Sequence, residues 1–249
     1  MKSRMALALS AALLCAAIAG DGRAQTDQQP PPDKEAVRKI VREYLLEHPE
    51  VIEEAIRALQ ARRQADQAAR TRDALLKNRV ALVDHPMSPV SGNPEGDVTL
   101  VEFFDYQCGY CKRSLEPVMD LLETDPGLRV VWKDFPVLGQ VSTFAALASM
   151  AAQKQGKYLE LHKALMGASE RLTEESVMEI AGQAGLDVRR LQQDMADAEI
   201  ISYLQDTQRL ARELGINGTP AFVIGNTLVP GAVDGARLRQ LIAETRSGG

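Results

Sequence analysis

Two cysteines three positions apart, Cys108 and Cys111, stand in the stretch Val101-Glu-Phe-Phe-Asp-Tyr-Gln-Cys-Gly-Tyr-Cys-Lys112. An apolar run leads straight into the pair, and a helix-forming run (Lys112, Arg113, Leu115, Glu116) follows it. Strand, Cys-x-x-Cys, helix is an order that puts Cys108 at a helix N-terminus. There the unpaired backbone N–H groups and the positive end of the helix dipole stabilise a thiolate. A thiolate attacks disulfide sulfur, and Cys111 is placed to resolve the mixed disulfide that forms. A structural disulfide and half of a zinc site are the competing uses. Zinc needs two more ligands. The only other cysteine is Cys15, and none of His48, His85 and His162 pairs with another His or Cys at ligand spacing. The strand–helix context favours thiol–disulfide exchange, which calls for no cofactor and no metal.

The elements that must position this pair follow from the rest of the chain. Val98 to Phe104 is expected as a buried central strand, Leu128 to Trp132 as the next strand, and Pro117 as a kink in the helix between them. Val80 to Val83 is expected as a short strand, whereas His85–Pro89 and Ser91–Pro94 are turn-rich and expected as loop. Between Pro136 and Pro220 there is no proline and the apolar spacing is helical, which predicts a helical insertion at about 140–214. Thr173 is suited to cap one of its helices, and His162 is expected on a helix flank with a satisfied hydrogen bond. Ala221–Ile224 and Thr227–Val229 form a hairpin turned by Gly225-Asn226, and Asp234 caps a last helix.

The N-terminal third has a different character. Lys2 and Arg4 precede an apolar, Ala-rich run, the pattern of a signal peptide over 1–24 with cleavage after 19 or 24. A lipid anchor at Cys15 is the weaker alternative. Residues 25–32 are mostly Gln, Asp and Pro and are expected to be a disordered leader. Residues 33–59 carry Val37, Ile40, Val41, Tyr44 and Leu45, then, past Pro49, Ile52, Ala55, Ile56 and Leu59, at helical spacing. This stripe packs either on the domain that follows or on copies of itself. Residues 60–79 begin with Gln60–Ala74, where no apolar residue exceeds Ala, and read as a charged, solvated helical connector. Residues 80–249 then make the domain that holds the motif.

Whole-chain charge narrows the partners. The 249 residues carry 29 basic and 34 acidic side chains, a net charge of −5. An acidic chain without a basic run argues against nucleic acid. Once the signal peptide is removed, both remaining cysteines lie in the motif. An exported protein with that inventory exchanges disulfides rather than being held together by them.

The order strand, Cys-x-x-Cys helix, strand, helical block, hairpin, helix resembles the thioredoxin fold with a helical insertion, and so the DsbA-like family. Glu102, six positions before Cys108, looks like that family's buried carboxylate, which modulates the thiols. Gly218-Thr219-Pro220 resembles the Thr–cis-Pro loop that faces the motif. Lys133 in Trp-Lys-Asp-Phe-Pro looks like the family's lysine near that carboxylate; on its own it is equally a surface lysine at a strand end. The dipeptide Gly109-Tyr110 stands where strongly oxidising members have Pro-His. Without that His the thiolate loses a donor, so the resemblance implies a less oxidising protein. Thr219 before the cis-Pro is what isomerases of the superfamily tend to show.

The stripe, the charged connector and Cys-Gly-Tyr-Cys together resemble the trimeric suppressor-of-copper-sensitivity C proteins. What this implies is an α/β thioredoxin-fold domain with a helical insertion, preceded by an N-terminal helical oligomerisation stalk. It also implies a periplasmic homotrimer acting on misfolded disulfide-containing proteins, kept reduced by a membrane thiol reductase of the DsbD/ScsB kind. Two alternatives stay open: a monomeric DsbA-like dithiol oxidase, and a Cu(I)-handling protein, since soft thiolates suit Cu(I).

Overall fold

The computed structural model describes residues 33–248. The expected signal peptide over 1–24, Cys15 within it, and the leader over 25–32 lie outside the described residues. The chain divides into two compact units between Ala58 and Leu59.

The first unit holds α1 (Lys34–Glu47) and the opening turns of α2 (Glu50–Lys77). Asp33 caps α1 by accepting from the Glu35 N–H at 3.2 Å. Pro49 lacks the N–H needed to continue that helix, so the chain caps at His48 and restarts at Glu50. No residue of α1 is buried. Val37, Ile40, Val41, Tyr44, Leu46, Ile52 and Ile56 are all exposed, and Val37, Val41, Leu45, Leu46 and Ile52 line one apolar groove.

The second unit is built on a five-stranded sheet in the order β1-β3-β2-β4-β5. Its strands are β1 (Val90–Gly92), β2 (Val98–Phe104), β3 (Leu128–Asp134), β4 (Ala221–Ile224) and β5 (Thr227–Pro230). The central strand is β2, parallel to β3 and antiparallel to β4. Between β2 and β3 runs α4 (Gly109–Thr124), the crossover that a parallel pair requires. The insertion supplies α5 (Gln140–Gln153), α6 (Tyr158–Gly167), α7 (Glu174–Gln183), α8 (Val188–Asp194) and α9 (Ala198–Glu213); α10 (Gly235–Arg246) closes the chain. Thr173 and Ser176 form a capping box at α7, and Asp234 caps α10 by accepting from the Arg237 N–H at 2.7 Å.

Both faces of the sheet are covered. Leu100, Phe104, Val130 and Trp132 pack with Cys111, Val118 and the insertion helices on one face. Val101, Phe103 and Val131 pack with Leu75, Leu82, Leu210 and Leu214 on the other. The end of α2, through Leu75, therefore belongs to the core of this unit and is not free connector.

Three local expectations are corrected. Val80–Val83 lies in a short helix, α3 (Arg79–Val83), which follows directly on α2 and buries Leu82 and Val83. Its carbonyls at Ala81 and Val83 accept from Lys133 and Arg129, so tertiary packing overrides the strand preference of the two valines. Ser91 and Gly92 form an edge strand with Val90, paired antiparallel to β3, with Gly92 at φ 80. His162 is buried to 1% exposure rather than on a flank. It packs among the rings of Phe104, Tyr106, Trp132 and Tyr158. Burial pushes its pKa down to about 3, which leaves it neutral.

Candidate active site

Cys108 ends the β2–α4 turn as the N-cap of α4, with φ −79 and ψ 110. Its carbonyl accepts from the Lys112 N–H at 3.1 Å, the first bond of the helix. Its sulfur lies at the open end of the helix dipole, and both motif thiols are free. The Cys108 thiol donates to the Thr219 carbonyl oxygen at 3.3 Å. The Thr219–Pro220 bond is cis, as the resemblance implies. Thus β2–α4 and the loop before β4 bring Cys108, Thr219 and Pro220 together from opposite ends of the domain.

Cys111, one turn into α4, is 1% exposed against 7% for Cys108. Burial pushes its thiol far up. Tyr110 is 61% exposed, with the Arg113 guanidinium 4.3 Å above its ring. Gly109 has no tight neighbour: a Cβ there would meet only the Arg113 guanidinium at 4.0 Å.

Glu102 points into the α4 side of the sheet and is buried. Burial raises its pKa to about 8, and the charge of Cys108 adds to the rise. Lys133 is not its neighbour. In the parallel register Glu102 faces Trp132, while Lys133 faces Phe103, so the two side chains leave opposite faces of the sheet. Nor is Lys133 a surface residue. It is 1% exposed, its ammonium donates to Ala81 O and Ser88 Oγ, each at 2.7 Å, and it lies 5.4 Å from the Tyr203 ring centre. Burial lowers its pKa to about 7, with Arg129 contributing.

Two residues of the motif turn escape a sequence reading. The Gln107 side chain pairs with the backbone of Leu172, donating to its carbonyl at 3.0 Å and accepting from its N–H at 3.3 Å. This ties the turn to the insertion. Asp105 is buried and holds the β3–α5 loop. The one signal for Asp105 is a carboxylate inside an apolar run, three residues before the first cysteine.

A DSBA-like thioredoxin domain family matches residues 99–243, and the Copper resistance protein ScsC N-terminal domain matches residues 33–66. Among solved structures, a thioredoxin-like oxidoreductase from Silicibacter pomeroyi DSS-3 is 46% identical, with TM-score 0.67. That match covers 68% of this chain and 98% of that one. A Proteus mirabilis ScsC variant with a linker deletion is 30% identical at TM-score 0.68, over 90% of this chain and 100% of that one. Among curated proteins, the Na(+)/H(+) antiporter NhaA 3 of Salinispora tropica is 29% identical over 144 residues, 57% of this chain. This chain spans only 22% of the antiporter's length, and no helix among the described residues is long and apolar enough to cross a membrane. The matched span takes in strands β3 to β5, nearly all of β2, the Cys-x-x-Cys helix and the loop facing it, and the chain belongs to the DSBA-like thioredoxin family.

Proposed function

We propose that the chain is a periplasmic disulfide isomerase or reductase for misfolded exported proteins, with Cys108 as the attacking thiolate and Cys111 as the resolving thiol. The observation that carries the thiol chemistry is Cys108 at the α4 N-terminus, 3.3 Å from the Thr219 carbonyl. Cys108 attacks one sulfur of a client disulfide. A Cys108–client bond forms, and the other client sulfur leaves as a thiolate. That thiolate can attack another disulfide of the client; the client thiolate so freed attacks the client sulfur bound to Cys108, a new client disulfide forms and Cys108 leaves as a thiolate, which is isomerisation. Alternatively Cys111 attacks Cys108, the client leaves reduced, and the motif becomes a disulfide. Glu102, with its pKa near 8, is suited to take the Cys111 proton before that attack. The backbone of Thr219, beside the sulfur, offers an edge on which an extended client segment can pair.

Isomerisation gains from several active sites around one client, and the uncovered apolar stripe of α1 and early α2 supports assembly of copies. The ScsC N-terminal match over the same residues supports it too. A homotrimer, kept reduced by a membrane thiol reductase, is the arrangement proposed. Refolding of a scrambled-disulfide substrate, run beside dithiol oxidation on one preparation, tests the reading. Restoration of the scrambled substrate outpacing oxidation is expected; the reverse moves the assignment to a DsbA-like oxidase. Soft thiolates suit Cu(I), which motivates one control, a Cu(I) titration of the reduced protein against Cys108→Ser.

A further inference from the structure

The loop that joins α6 to α7 is strapped to the motif from both ends. Near its start the Lys112 ammonium, from the first turn of α4, donates to the Ala168 carbonyl at 2.6 Å. Near its end the Gln107 side chain holds both backbone groups of Leu172, at 3.0 and 3.3 Å. Between the straps, Glu170 and Arg171 line an open cleft of about 470 Å³ together with Gln107, Gly109 and Lys112. Gln107 and Gly109 stand on either side of Cys108, so the cleft begins at the attacking thiol. None of its lining residues comes from the Thr219–Pro220 loop. It is a second surface beside the same sulfur.

The chain as a whole is net acidic, at −5. The cleft has the other sign: two cations, Lys112 and Arg171, line it against the one carboxylate of Glu170. A third cation is close by, since the Arg113 guanidinium lies 4.0 Å from where a Gly109 Cβ would stand. The positive end of α4 adds to it. Arg171 is exposed, and Lys112 keeps ammonium donors beyond the one given to Ala168. The straps hold these charges in place before a ligand arrives, which lowers the ordering cost of pairing with them.

We propose that this cleft is a specificity subsite for acidic client segments: it takes a Glu or Asp side chain next to the client cysteine under attack, with Arg171 as first partner and Lys112 as second. The inference rests on Cys108 being the attacking thiol and names a substrate class for that reading. In the attack the Cys108 thiolate bonds to one client sulfur and the client S–S bond breaks. The other client sulfur leaves with the electron pair and takes a proton. Cys111 then displaces the bound half, so the protein ends oxidised and the client reduced. A carboxylate beside the attacked cysteine meets the cations as the first bond forms, whereas a Lys or Arg there meets like charge. The occupant is a client segment because its bond to Cys108 holds the carboxylate at high effective concentration, and an exposed ion pair is weak without that.

Symmetric disulfides of end-capped Gly-X-Cys-X-Gly peptides, with X as Glu, Gln or Lys, are the probes for the reduced full chain. The rate of peptide thiol release is read in a single turnover. Comparing the Glu-to-Gln rate ratio between parent and variant cancels the intrinsic reactivity of each peptide. That ratio should fall about threefold in Arg171→Gln, the size of one exposed ion pair, and further in Arg171→Glu. Lys112→Gln should lower it as well, and Glu170→Gln should raise it. The Lys-to-Gln ratio should move the opposite way in each case. The differences should shrink at about 1 M salt, where charges are screened beyond about 3 Å. On the Gln peptide Arg171→Gln should stay within about twofold of the parent. A Glu-to-Gln ratio unchanged in both Arg171 variants overturns the inference, and so does a ratio that rises when Arg171 is removed. Equal slowing on all three peptides would make Arg171 a structural residue of its loop and overturns it too. Failure of the thiol reading looks different and takes the inference with it: Cys108→Ser would then release thiol from the Gln peptide as fast as the parent.

Discussion

Glu102 and Lys133 occupy adjacent rows of the β2–β3 register yet leave opposite faces of the sheet, so neither neutralises the other. Among the described residues, neither has an opposite charge paired with it: Glu102 is buried over the thiols and Lys133 against α3 and Tyr203. Their ionisation therefore works on stability independently and with opposite sign.

Glu102 has its folded pKa raised from 4.5 to about 8. Between those values the folded carboxyl holds a proton that the unfolded chain has lost, so this group's contribution to stability falls as pH rises through that window. Glu102→Gln should match the parent near pH 4 and exceed it in stability above pH 8 by up to a few kcal/mol. Urea unfolding at pH 4.5 and 8.5 measures the gap. Because the Cys108 charge adds to the rise, the gap should shrink in the oxidised protein. A gap that does not change with pH would mean that Glu102 does not titrate in this range.

Lys133 behaves in reverse. Its folded pKa is lowered from 10.5 to about 7. Between these values the unfolded chain binds the extra proton, so stability from this site rises with pH across the window. Lys133→Met removes the titration but leaves the Ala81 carbonyl without its donor. The parent should gain on Lys133→Met as pH goes from 6.5 to 9.5. Unfolding midpoints that shift in parallel with pH for the two proteins would contradict the assignment.

How much of this arrangement was legible in the sequence depends on what fixes each element. The β2–motif–α4 order, the β4–β5 hairpin and the α7 and α10 caps are local signals, and each stands where the residues put it. Val80–Val83 and Ser91–Gly92 went the other way because their state is set by what they dock on. The former is held by Arg129 and Lys133 from β3, and the latter by pairing with β3. Lys133 shows the limit most clearly. One step of register decides the face of a strand side chain, and nothing near Lys133 in the sequence records that register. Asp105 was visible only as an oddity, since three of the four donors to its carboxylate lie 32 to 37 residues away.

The inequality of the two thiols gives a chemical prediction. Cys111 is the more buried, and its thiol is pushed well up. Cys111→Ser should accumulate mixed disulfides with a reducible client, seen as a thiol-sensitive mass increase on non-reducing gels. Cys108→Ser should accumulate almost none. Equal trapping by both variants would remove the assignment of Cys108 as the attacking thiol.

The uncovered stripe gives the last prediction. Val41 and Ile52 are exposed in the single chain and line one groove, so replacing them there costs little folding energy. In an assembly of copies each would be buried, at about 1.5–3 kcal/mol per side chain. Val41→Lys with Ile52→Lys places charge in that contact in every protomer, a cost that several such side chains do not offset. Light scattering on the parent at micromolar concentration should report an assembly, three copies under the trimer proposal, and on the double variant a monomer with the same helical content. The variant should keep simple disulfide reduction, because the Cys108 site lies wholly in the second unit. It should lose most of its restoration of scrambled substrates, which depends on several sites acting on one client. A parent that is already monomeric would sink the assembly. A monomeric variant with undiminished isomerisation would sever assembly from function.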